Sequence, residues 1–316
     1  MVPMSTCDVS TLSVKELKAL IAEAGLSTAG CVEKADLRAR AAEAQAKLVA
    51  DKAATGESAS APAWSQSERT LSGFSCLISA PADVAAGSAP ADLAVILLHG
   101  LGAGNRDLAD LTKTLSSFGL ASRKILFVFP QAPAHPMFGS AWWSIDPMKF
   151  MALSSADSDA VAKAIREEPP DLSACRAKMA TLVQEVRTLG GGTAGMLPTS
   201  RVLLGGFSQG AITSLDVALQ CADDEHVAGV LFLSGAPIVV EQWAARLKLH
   251  RGLRVLMTHG QADMTLPVVA SGWVRDLLGQ HGASVSYKLH TGGHDLGDAA
   301  ILSAIAAFIR DSIPVA

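Results

Sequence analysis

The chain has 316 residues, 49% of them hydrophobic, which is enough to bury the core of one large domain or of one domain with an appendage. Its formal net charge of -4 excludes a strongly basic nucleic-acid-binding protein on bulk charge. The five cysteines are odd in number and scattered, without a Cys-x-x-Cys pair. This pattern is typical of a reduced intracellular protein rather than of a disulfide framework.

Neither a membrane span nor a secretory leader is expected from the sequence. The longest stretch without an acidic or basic residue, 125–145, is interrupted by three prolines and a histidine. A spanning helix needs about 20 predominantly apolar residues. The first ten residues lack the basic and apolar regions of a secretory signal. We therefore predict a cytoplasmic protein.

The first fifty residues are predicted to form a unit of two short helices. Ser13 and Glu16 match a capping box, which starts a helix that Gly25 ends. The apolar residues of this first helix share one face: Val14, Leu17, Leu20, Ile21 and Ala24. A second helix is predicted from about Glu33, with one side formed by Leu37, Ala41, Ala44 and Leu48.

The stretch from Leu12 to Ala41 resembles the SAP-like modules, in which an extended loop joins two helices. Some of these modules bind DNA, which requires a basic face. Residues 1–50 carry six Lys or Arg and six Asp or Glu, so the module is neutral. We expect it to dock a protein partner or to be structural decoration, and not to bind nucleic acid.

Residues 51–70 are rich in Ala, Ser, Gly and Pro and have no periodicity, so they are predicted to be a flexible linker. A larger domain is predicted over residues 71–316. Its apolar runs are predicted strands: Leu71–Ser79, Leu93–Leu98, Ile125–Phe129, Val202–Gly206, Gly229–Leu233, Leu253–Thr258 and Ser284–Leu289. Helical patterns lie between most of them, as at Leu172–Leu189 and Val268–Gln280. This alternation predicts an α/β fold, with a mostly parallel sheet flanked by helices.

The segment Gly206-Phe-Ser-Gln-Gly210 matches the pattern G-x-S-x-G between a predicted strand and a predicted helix. In this position the glycines let the strand and the helix approach closely around a strained turn, which presents the Ser208 hydroxyl at the helix N-terminus. The backbone N–H of Gln209 and the helix dipole can then stabilise an oxyanion. The alternative is a glycine-rich turn with a capping serine.

A serine hydroxyl needs a base that takes its proton, and the base needs a carboxylate that orients it. Asp263 follows one predicted strand, in the segment HGQAD, and His294 follows the next strand. Both lie just beyond strand C-termini, as Ser208 does. The order Ser208, Asp263, His294 is that of hydrolases with this type of turn, so the three are predicted to form a catalytic triad.

Other histidines could compete for chemistry. His290 and His294 are four residues apart and would suit a metal on a helix, but Gly292-Gly293 argues against that helix. His259 is interpreted as a loop former beside the acid. His99 is interpreted as a structural hydrogen-bonding group. We therefore expect neither a metal ion nor a cofactor.

Two other acids, Asp295 and Asp298, could replace Asp263 as the carboxylate. Asp295 adjoins His294 in the sequence, and neighbouring side chains seldom face each other across a turn. Asp263 is therefore the favoured acid.

Six motifs occur in order along the larger domain: Leu98-His-Gly-Leu-Gly102, Pro130-Gln-Ala-Pro133, Ala141-Trp-Trp-Ser144, Gly205-Gly-Phe-Ser-Gln-Gly210, His259-Gly-Gln-Ala-Asp263 and Gly293-His294. Together they resemble the acyl-protein thioesterase / phospholipase–carboxylesterase family of α/β-hydrolases, over roughly residues 71–313. The resemblance implies Ser208, Asp263 and His294 as the triad. It also implies that the N–H groups of Leu101 and Gln209 form the oxyanion hole.

The resemblance further implies that the loops around Pro133–Trp143 border an acyl-binding groove. Met137, Phe138, Trp142 and Trp143 predict a pliable apolar wall for that groove. The alternative for the two tryptophans is simple core packing.

We therefore predict a serine hydrolase that cleaves carboxylic esters or thioesters through an acyl-enzyme intermediate. Its substrate would be a small molecule, a lipid or an acylated protein. One alternative is a lysophospholipase or an esterase of small acyl groups. An alternative of another class is a non-catalytic receptor or scaffold with a hydrolase fold, acting through residues 1–50.

Overall fold

The computed structural model of the protein covers most of the chain in detail. The residues it describes are 13–28, 31, 34–54, 64–146, 152–153, 157–222 and 225–314. The chain divides into two units, Met1–Ala61 and Pro62–Ala316. Within the described residues, no helix combines the length and the apolar character needed to cross a bilayer.

Two helices, α1 (Val14–Glu23) and α2 (Lys34–Ala54), form the described part of the N-terminal unit. Their shared core is small, and its buried residues are Leu17, Leu20, Ile21, Ala24, Leu37, Ala41 and Ala44. Helix α1 is followed by Gly25 at φ +66°, a conformation that glycine adopts without strain. The Lys47 ammonium donates to the carbonyl of Ala24, 2.8 Å away, and so satisfies one of the groups left free at the end of α1.

The predicted apolar face of the first helix is buried except for Val14. Val14 is 41% exposed and lies in the first turn of α1. The Glu16 side chain of the predicted capping box and the Leu48 side chain lie outside the described residues.

The larger unit is built on a sheet and a short hairpin. The strands are β1 (Ser65–Leu71), β2 (Phe74–Ala80), β3 (Leu93–Leu98), β4 (Ile125–Pro130), β5 (Ala134–His135), β6 (Gly139–Ser140), β7 (Val202–Phe207), β8 (Gly229–Leu233), β9 (Arg254–Gly260) and β10 (Ser284–His290). Eight of them form one sheet in the order β1-β2-β4-β3-β7-β8-β9-β10, and β5 pairs with β6. Strand β2 pairs antiparallel with β1 and β4, and the other neighbours in the large sheet are parallel.

Helices cover both faces of the large sheet. They are α3 (Ala82–Ala85), α4 (Leu111–Leu115), α5 (Ser158–Arg166), α6 (Leu172–Gly191), α7 (Gln209–Leu219), α8 (Val240–Leu247), α9 (Val268–Gln280) and α10 (Ala299–Arg310). Alternate residues of β3 enter two separate cores, because successive side chains of a strand point to opposite faces. One core includes apolar residues of α4 and α10, and the other includes those of α6 to α9. The predicted α/β fold with a mostly parallel sheet is confirmed.

The structure corrects both ends of the predicted linker of residues 51–70. Helix α2 continues to Ala54, and β1 begins at Ser65; residues 55–63 lie outside the described residues. The sequence of β1, SQSERTL, lacks apolar alternation because this edge strand is exposed on nearly all of its residues. It is a strand because the turn at Ser72–Gly73, with φ of +49° and +69°, folds it back onto β2.

Candidate active site

The turn between β7 and α7 holds Ser208 in a strained conformation. Its φ is +56° and its ψ is -122°, which L-residues seldom adopt. Strand β3 lies so close that a Cβ on Gly210 would be 2.0 Å from the Leu98 carbonyl oxygen, and a Cβ on Gly206 would be 2.5 Å from it. The two glycines are therefore required by the close approach of strand and helix. The Ser208 N–H donates to the Leu233 carbonyl at 2.9 Å, which ties the turn to β8.

Three side chains from three loops meet at this turn. His294 Nε2 lies 2.9 Å from Ser208 Oγ, and His294 Nδ1 lies 2.6 Å from Asp263 Oδ2. The other carboxylate oxygen of Asp263 accepts from the backbone N–H groups of Thr265 and Leu266, at 2.8 Å and 2.9 Å. The acid is thus held by its own loop and aimed at the imidazole.

The hydrogen-bond partners assign the protonation of His294. Because a carboxylate only accepts, Nδ1 carries the proton and donates a hydrogen bond to Asp263. Nε2 is then unprotonated and accepts a hydrogen bond from the Ser208 hydroxyl. The Phe207 ring packs against the imidazole with the ring centroids 4.7 Å apart. The arrangement can remove a proton from Ser208 and store the resulting positive charge beside Asp263.

The competing acids have partners within their own loop. Asp295 accepts from the N–H groups of Gly293 and Gly297, at 3.0 Å and 2.8 Å. Asp298 caps α10 by accepting from its first N–H groups. It is Asp263 that the structure brings to His294.

The remaining histidines near the site are buried and bonded to backbone. His259 Nε2 donates to the Leu266 carbonyl at 2.9 Å and lies 3.3 Å from Asp263 Oδ2. Burial lowers the pKa of His259, so the ring is neutral at pH 7. His290 Nδ1 accepts from the Gly292 N–H at 3.2 Å. Both rings pack the loops that carry the acid and the base.

A second loop, after β3, approaches Ser208 from the other side. A Cβ on Gly100 would lie 3.4 Å from the Ser208 Cβ, and Leu101 follows directly. His99 holds this loop, because its Nε2 accepts from the Ala132 N–H at 3.1 Å and its Nδ1 then donates to the Gly100 carbonyl at 2.8 Å. Burial lowers the pKa of His99 and keeps this neutral form.

These groups open into a cavity of about 290 Å³. Its lining residues are Leu101, Phe138, Ile145, Ser208, Gln209, Thr265, Leu266 and His294. Most of the lining is apolar, and the polar groups include the hydrogen-bonded pair of Ser208 and His294. The first N–H groups of a helix have no acceptor within the helix, so the Gln209 N–H at the start of α7 is free to bind a ligand oxygen.

The predicted apolar wall differs from the lining that the structure places there. Phe138 lines the cavity, but Met137 is 71% exposed, and Trp142 and Trp143 are only 3% and 2% exposed within the core. The tryptophans can be buried because each indole N–H finds an acceptor. Both tryptophans belong to a core cluster, which agrees with the alternative of core packing, and they also line a different cavity.

Three lining residues were missed from the sequence: Ile145, Thr265 and Leu266. Thr265 and Leu266 directly follow Asp263, so the loop of the acid could have suggested them. Ile145 follows the tryptophan pair and carried no motif of its own.

Among the described residues, no cluster of three or more His, Cys, Asp or Glu could hold a metal ion. Two of the described cysteines are also poor nucleophiles. Burial raises the pKa of Cys76 and of Cys175 to about 12, so these thiols stay protonated at pH 7.

The sequence model of the phospholipases and carboxylesterases matches residues 80–313. The chain belongs to the phospholipase/carboxylesterase family. The family match includes the turn at Ser208 and the loops of Asp263 and His294. It leaves out the whole N-terminal unit.

Named relatives of the family are similar at modest identity. An acyl-protein thioesterase 1 from Eremothecium gossypii is 28% identical over 244 residues, which cover 74% of this chain and 94% of the relative. An acyl-protein thioesterase 1 from Schizosaccharomyces pombe is 29% identical over 178 residues, 56% of this chain and 71% of the relative.

Solved structures of two esterases share the fold. A carboxylesterase from Mesorhizobium loti has a TM-score of 0.55 at 20% identity, over 78% of this chain and 98% of its own. Esterase PE8 has a TM-score of 0.56 at 22% identity, with the same two coverages.

Proposed function

We propose that the chain hydrolyses carboxylic esters and thioesters of acyl chains, with Ser208 as the nucleophile, His294 as the base and Asp263 as the orienting acid. The observation that carries the proposal is the hydrogen-bonded path from Asp263 through His294 to the Ser208 hydroxyl, which ends at an apolar cavity. Membership of the family supports the same class of reaction.

In the first half of the reaction, Ser208 Oγ attacks the acyl carbonyl carbon while His294 Nε2 takes the hydroxyl proton. The carbonyl oxygen becomes an oxyanion that accepts hydrogen bonds from the backbone N–H groups of Leu101 and Gln209. The bond to the leaving oxygen or sulfur then breaks, and the leaving group receives the proton from His294. The acyl group stays on Ser208.

In the second half, a water molecule gives a proton to His294 and attacks the acyl-enzyme. The second tetrahedral intermediate uses the same two N–H groups. Its collapse returns the proton to Ser208 Oγ and releases the carboxylic acid. In both halves Asp263 stabilises the imidazolium and fixes its tautomer.

The acyl chain is proposed to lie against Phe138, Ile145 and Leu266, the apolar part of the cavity lining. Two named relatives are acyl-protein thioesterases, which favours thioesters as well as oxygen esters. Lysophospholipids and small acyl esters offer the same carbonyl with another leaving group. A panel of esters and thioesters with matched acyl chains separates these substrates.

A fluorophosphonate probe tests the nucleophile, because it phosphonylates an activated serine. The wild-type chain is expected to be labelled, and Ser208→Ala is expected to lose labelling and about 10⁶-fold in turnover. Ser271→Ala is the matched control, because Ser271 lies in α9 and bonds to Tyr287 instead. A folded Ser208→Ala variant that hydrolyses esters at the wild-type rate would contradict the proposal.

We infer that the N-terminal unit, predicted as a SAP-like module, is a protein-docking element that takes no part in ester hydrolysis. The balance of six acidic and six basic residues over residues 1–50, which disfavours a nucleic-acid partner, and the place of the unit outside the family match support this role. We also propose that the whole chain acts in the cytoplasm.

Deletion of residues 1–61 tests the role of this unit and retains Trp64, which packs on Phe127 with ring centroids 5.1 Å apart. Turnover of small esters is expected to stay within about twofold, since the two units are separately compact. A large fall in turnover would show that the unit serves the reaction.

A further inference from the structure

The two tryptophans that the cavity does not use are hydrogen-bonded to both sides of the proposed oxyanion hole. We call residues 141–143 the tryptophan strap. The Trp142 indole N–H donates to the His99 carbonyl at 2.8 Å, and the Trp142 backbone N–H donates to Gln209 Oε1 at 3.1 Å. His99 lies two residues before Leu101, and Gln209 carries the other proposed donor. Trp142 thus bonds both to the loop that carries Leu101 and to Gln209, the residues of the two proposed donors.

The Gln209 side chain completes the connection. It is 2% exposed, and its Nε2 donates to the Trp143 carbonyl at 2.8 Å. The Trp143 indole donates to Thr213 Oγ1 at 3.0 Å, and this hydroxyl donates to the Gln209 carbonyl at 2.8 Å. The strap therefore binds the first turn of α7 at the side chain of Gln209 and at Thr213.

We propose that Trp142 and the Gln209 side chain are positioning residues that set the spacing of the Leu101 and Gln209 N–H groups. This inference rests on the proposed function of those two N–H groups. Neither side chain would touch the substrate. Each would act through the backbone that it holds.

The separation of the two donors along the chain favours a positioning role for the strap over packing alone. Leu101 lies in the loop after β3 and Gln209 begins α7. The 107 residues between them are too long a connection to fix the spacing of their N–H groups. An oxyanion hole works only if both donors are in place before the charge develops, because reorganisation during the reaction would cost free energy. Hydrogen bonds between buried groups are directional, so the strap restricts relative movement of the two loops.

Two variants cut the strap at different points. Trp142→Phe keeps an aromatic ring but removes the bond to His99, and Gln209→Met keeps the side-chain length but removes both amide bonds. Each is expected to lower kcat about tenfold, part of the loss of 10²–10³ seen when one donor is removed outright. KM should stay within about twofold, and acetyl and octanoyl esters should lose the same factor.

The matched control is Trp243→Phe. Trp243 is also fully buried, and its indole N–H donates to Asp216 Oδ1 at 2.9 Å, so the variant loses a comparable bond to α7 away from the site. It is expected to lose stability without a change in kcat. Thermal unfolding of all three variants identifies those that are folded, and if Trp142→Phe does not fold, Gln209→Met carries the test.

A pair of ketones with the same octyl chain supplies a direct reading of the oxyanion hole. Ser208 Oγ adds to the carbonyl carbon of the trifluoromethyl ketone while His294 Nε2 takes the hydroxyl proton, which leaves a hemiketal oxyanion in the hole, whereas the methyl ketone binds without forming appreciable adduct. The strap variants should bind the trifluoromethyl ketone about tenfold more weakly and the methyl ketone equally well. This split would not follow from a purely structural role.

Three results would overturn the inference: an unchanged kcat in a folded strap variant, a loss that depends on acyl length, or an equal loss of kcat in Trp243→Phe. The proposed function fails separately, through an active Ser208→Ala variant. If Ser208→Ala is inactive and the strap variants are unimpaired, the inference alone is wrong.

Discussion

The turn that carries Ser208 and the wall of the cavity beside it are built in different ways. The turn is determined by the backbone, because Gly206 and Gly210 are the residues that the contact with β3 allows. The wall is assembled from separate segments: Phe138 comes from the β5–β6 hairpin, and Leu266 comes from the loop after β9. Nothing local in either segment requires an apolar side chain.

This difference explains which site residues can be read from a sequence. A strained turn or a loop at the end of a parallel strand leaves a short, ordered motif, since few residues fit it. A wall residue needs only an apolar side chain, which also describes any residue of the core. Experiments on the two regions should therefore differ in the size and in the specificity of their effects.

After the loss of the Ser208 nucleophile, the largest expected effect concerns the carboxylate that orients His294. Asp263→Asn should lower kcat about 10⁴-fold, because an amide would favour the wrong tautomer of His294. Asp295→Asn is the matched control in the His294 loop and should cost less than about tenfold, since Asp295 binds backbone N–H groups instead. Steady-state kinetics with one p-nitrophenyl ester measures both.

The reverse ranking of the two acid variants would mean that the acid is Asp295. It would also mean that the position of Asp263 after a strand, between Ser208 and His294 in the sequence, was not enough to identify the acid. Equal, mild effects of both variants would count against a carboxylate as the partner of His294.

The fold was predictable wherever burial on both faces of the sheet left continuous apolar runs. The runs Leu93–Leu98 and Gly229–Leu233 have the same bounds as β3 and β8, and Val268–Gln280 has those of α9. Strand β1 was not predictable, because its exposed edge carries polar residues and its pairing depends on the turn before β2. Both the linker and this exposed edge strand lack the apolar alternation that would tell one from the other.

The positions of Trp142 and Trp143 could not be predicted from the sequence around them. A sequence identifies Trp142 and Trp143 as large and apolar, but their burial depends on acceptors supplied by residues more than 40 positions away. The structure supplies those acceptors at His99 and Thr213. Ile145, which does line the cavity, lies just after the pair and has no local pattern that separates it from a core residue.

A smaller effect is expected at the wall of the cavity. In the wild-type chain kcat/KM should rise from acetyl to octanoyl esters, because each buried methylene contributes about 0.8 kcal/mol. Four buried methylenes would give about 3 kcal/mol, or roughly 100-fold. Phe138→Ala should reduce this rise to less than about tenfold, whereas Met137→Ala, at an exposed neighbour, should leave it unchanged.

A chain-length rise that Phe138→Ala leaves intact would show that the acyl chain lies elsewhere. If Met137→Ala abolishes the rise of kcat/KM with chain length, the exposed tip of the β5–β6 hairpin contacts the acyl chain. Either result would sharpen the contrast with the turn at Ser208, where one residue should decide the activity.

The smallest effect separates histidines that hold loops from the one that does chemistry. His99 and His259 lie at the ends of strands near Ser208, and burial lowers the pKa of each below the ordinary value of about 6.5. As pH falls below 6.5, the unfolded chain takes up more protons at these two positions than the folded chain does. The free energy of unfolding should therefore fall with pH in this range.

At pH 5.5 the loss should reach up to about 1.4 kcal/mol for each histidine, because one pH unit below the unfolded pKa corresponds to one pKa unit of free energy. His259→Gln can still donate to the Leu266 carbonyl but does not titrate, so its urea-unfolding free energy should fall less between pH 7.5 and 5.5. His281→Gln is the control, because His281 lies outside the buried set. If wild type and His259→Gln lose equal stability over this range, His259 titrates alike in the folded and unfolded chains, and its burial beside Asp263 does not keep it neutral.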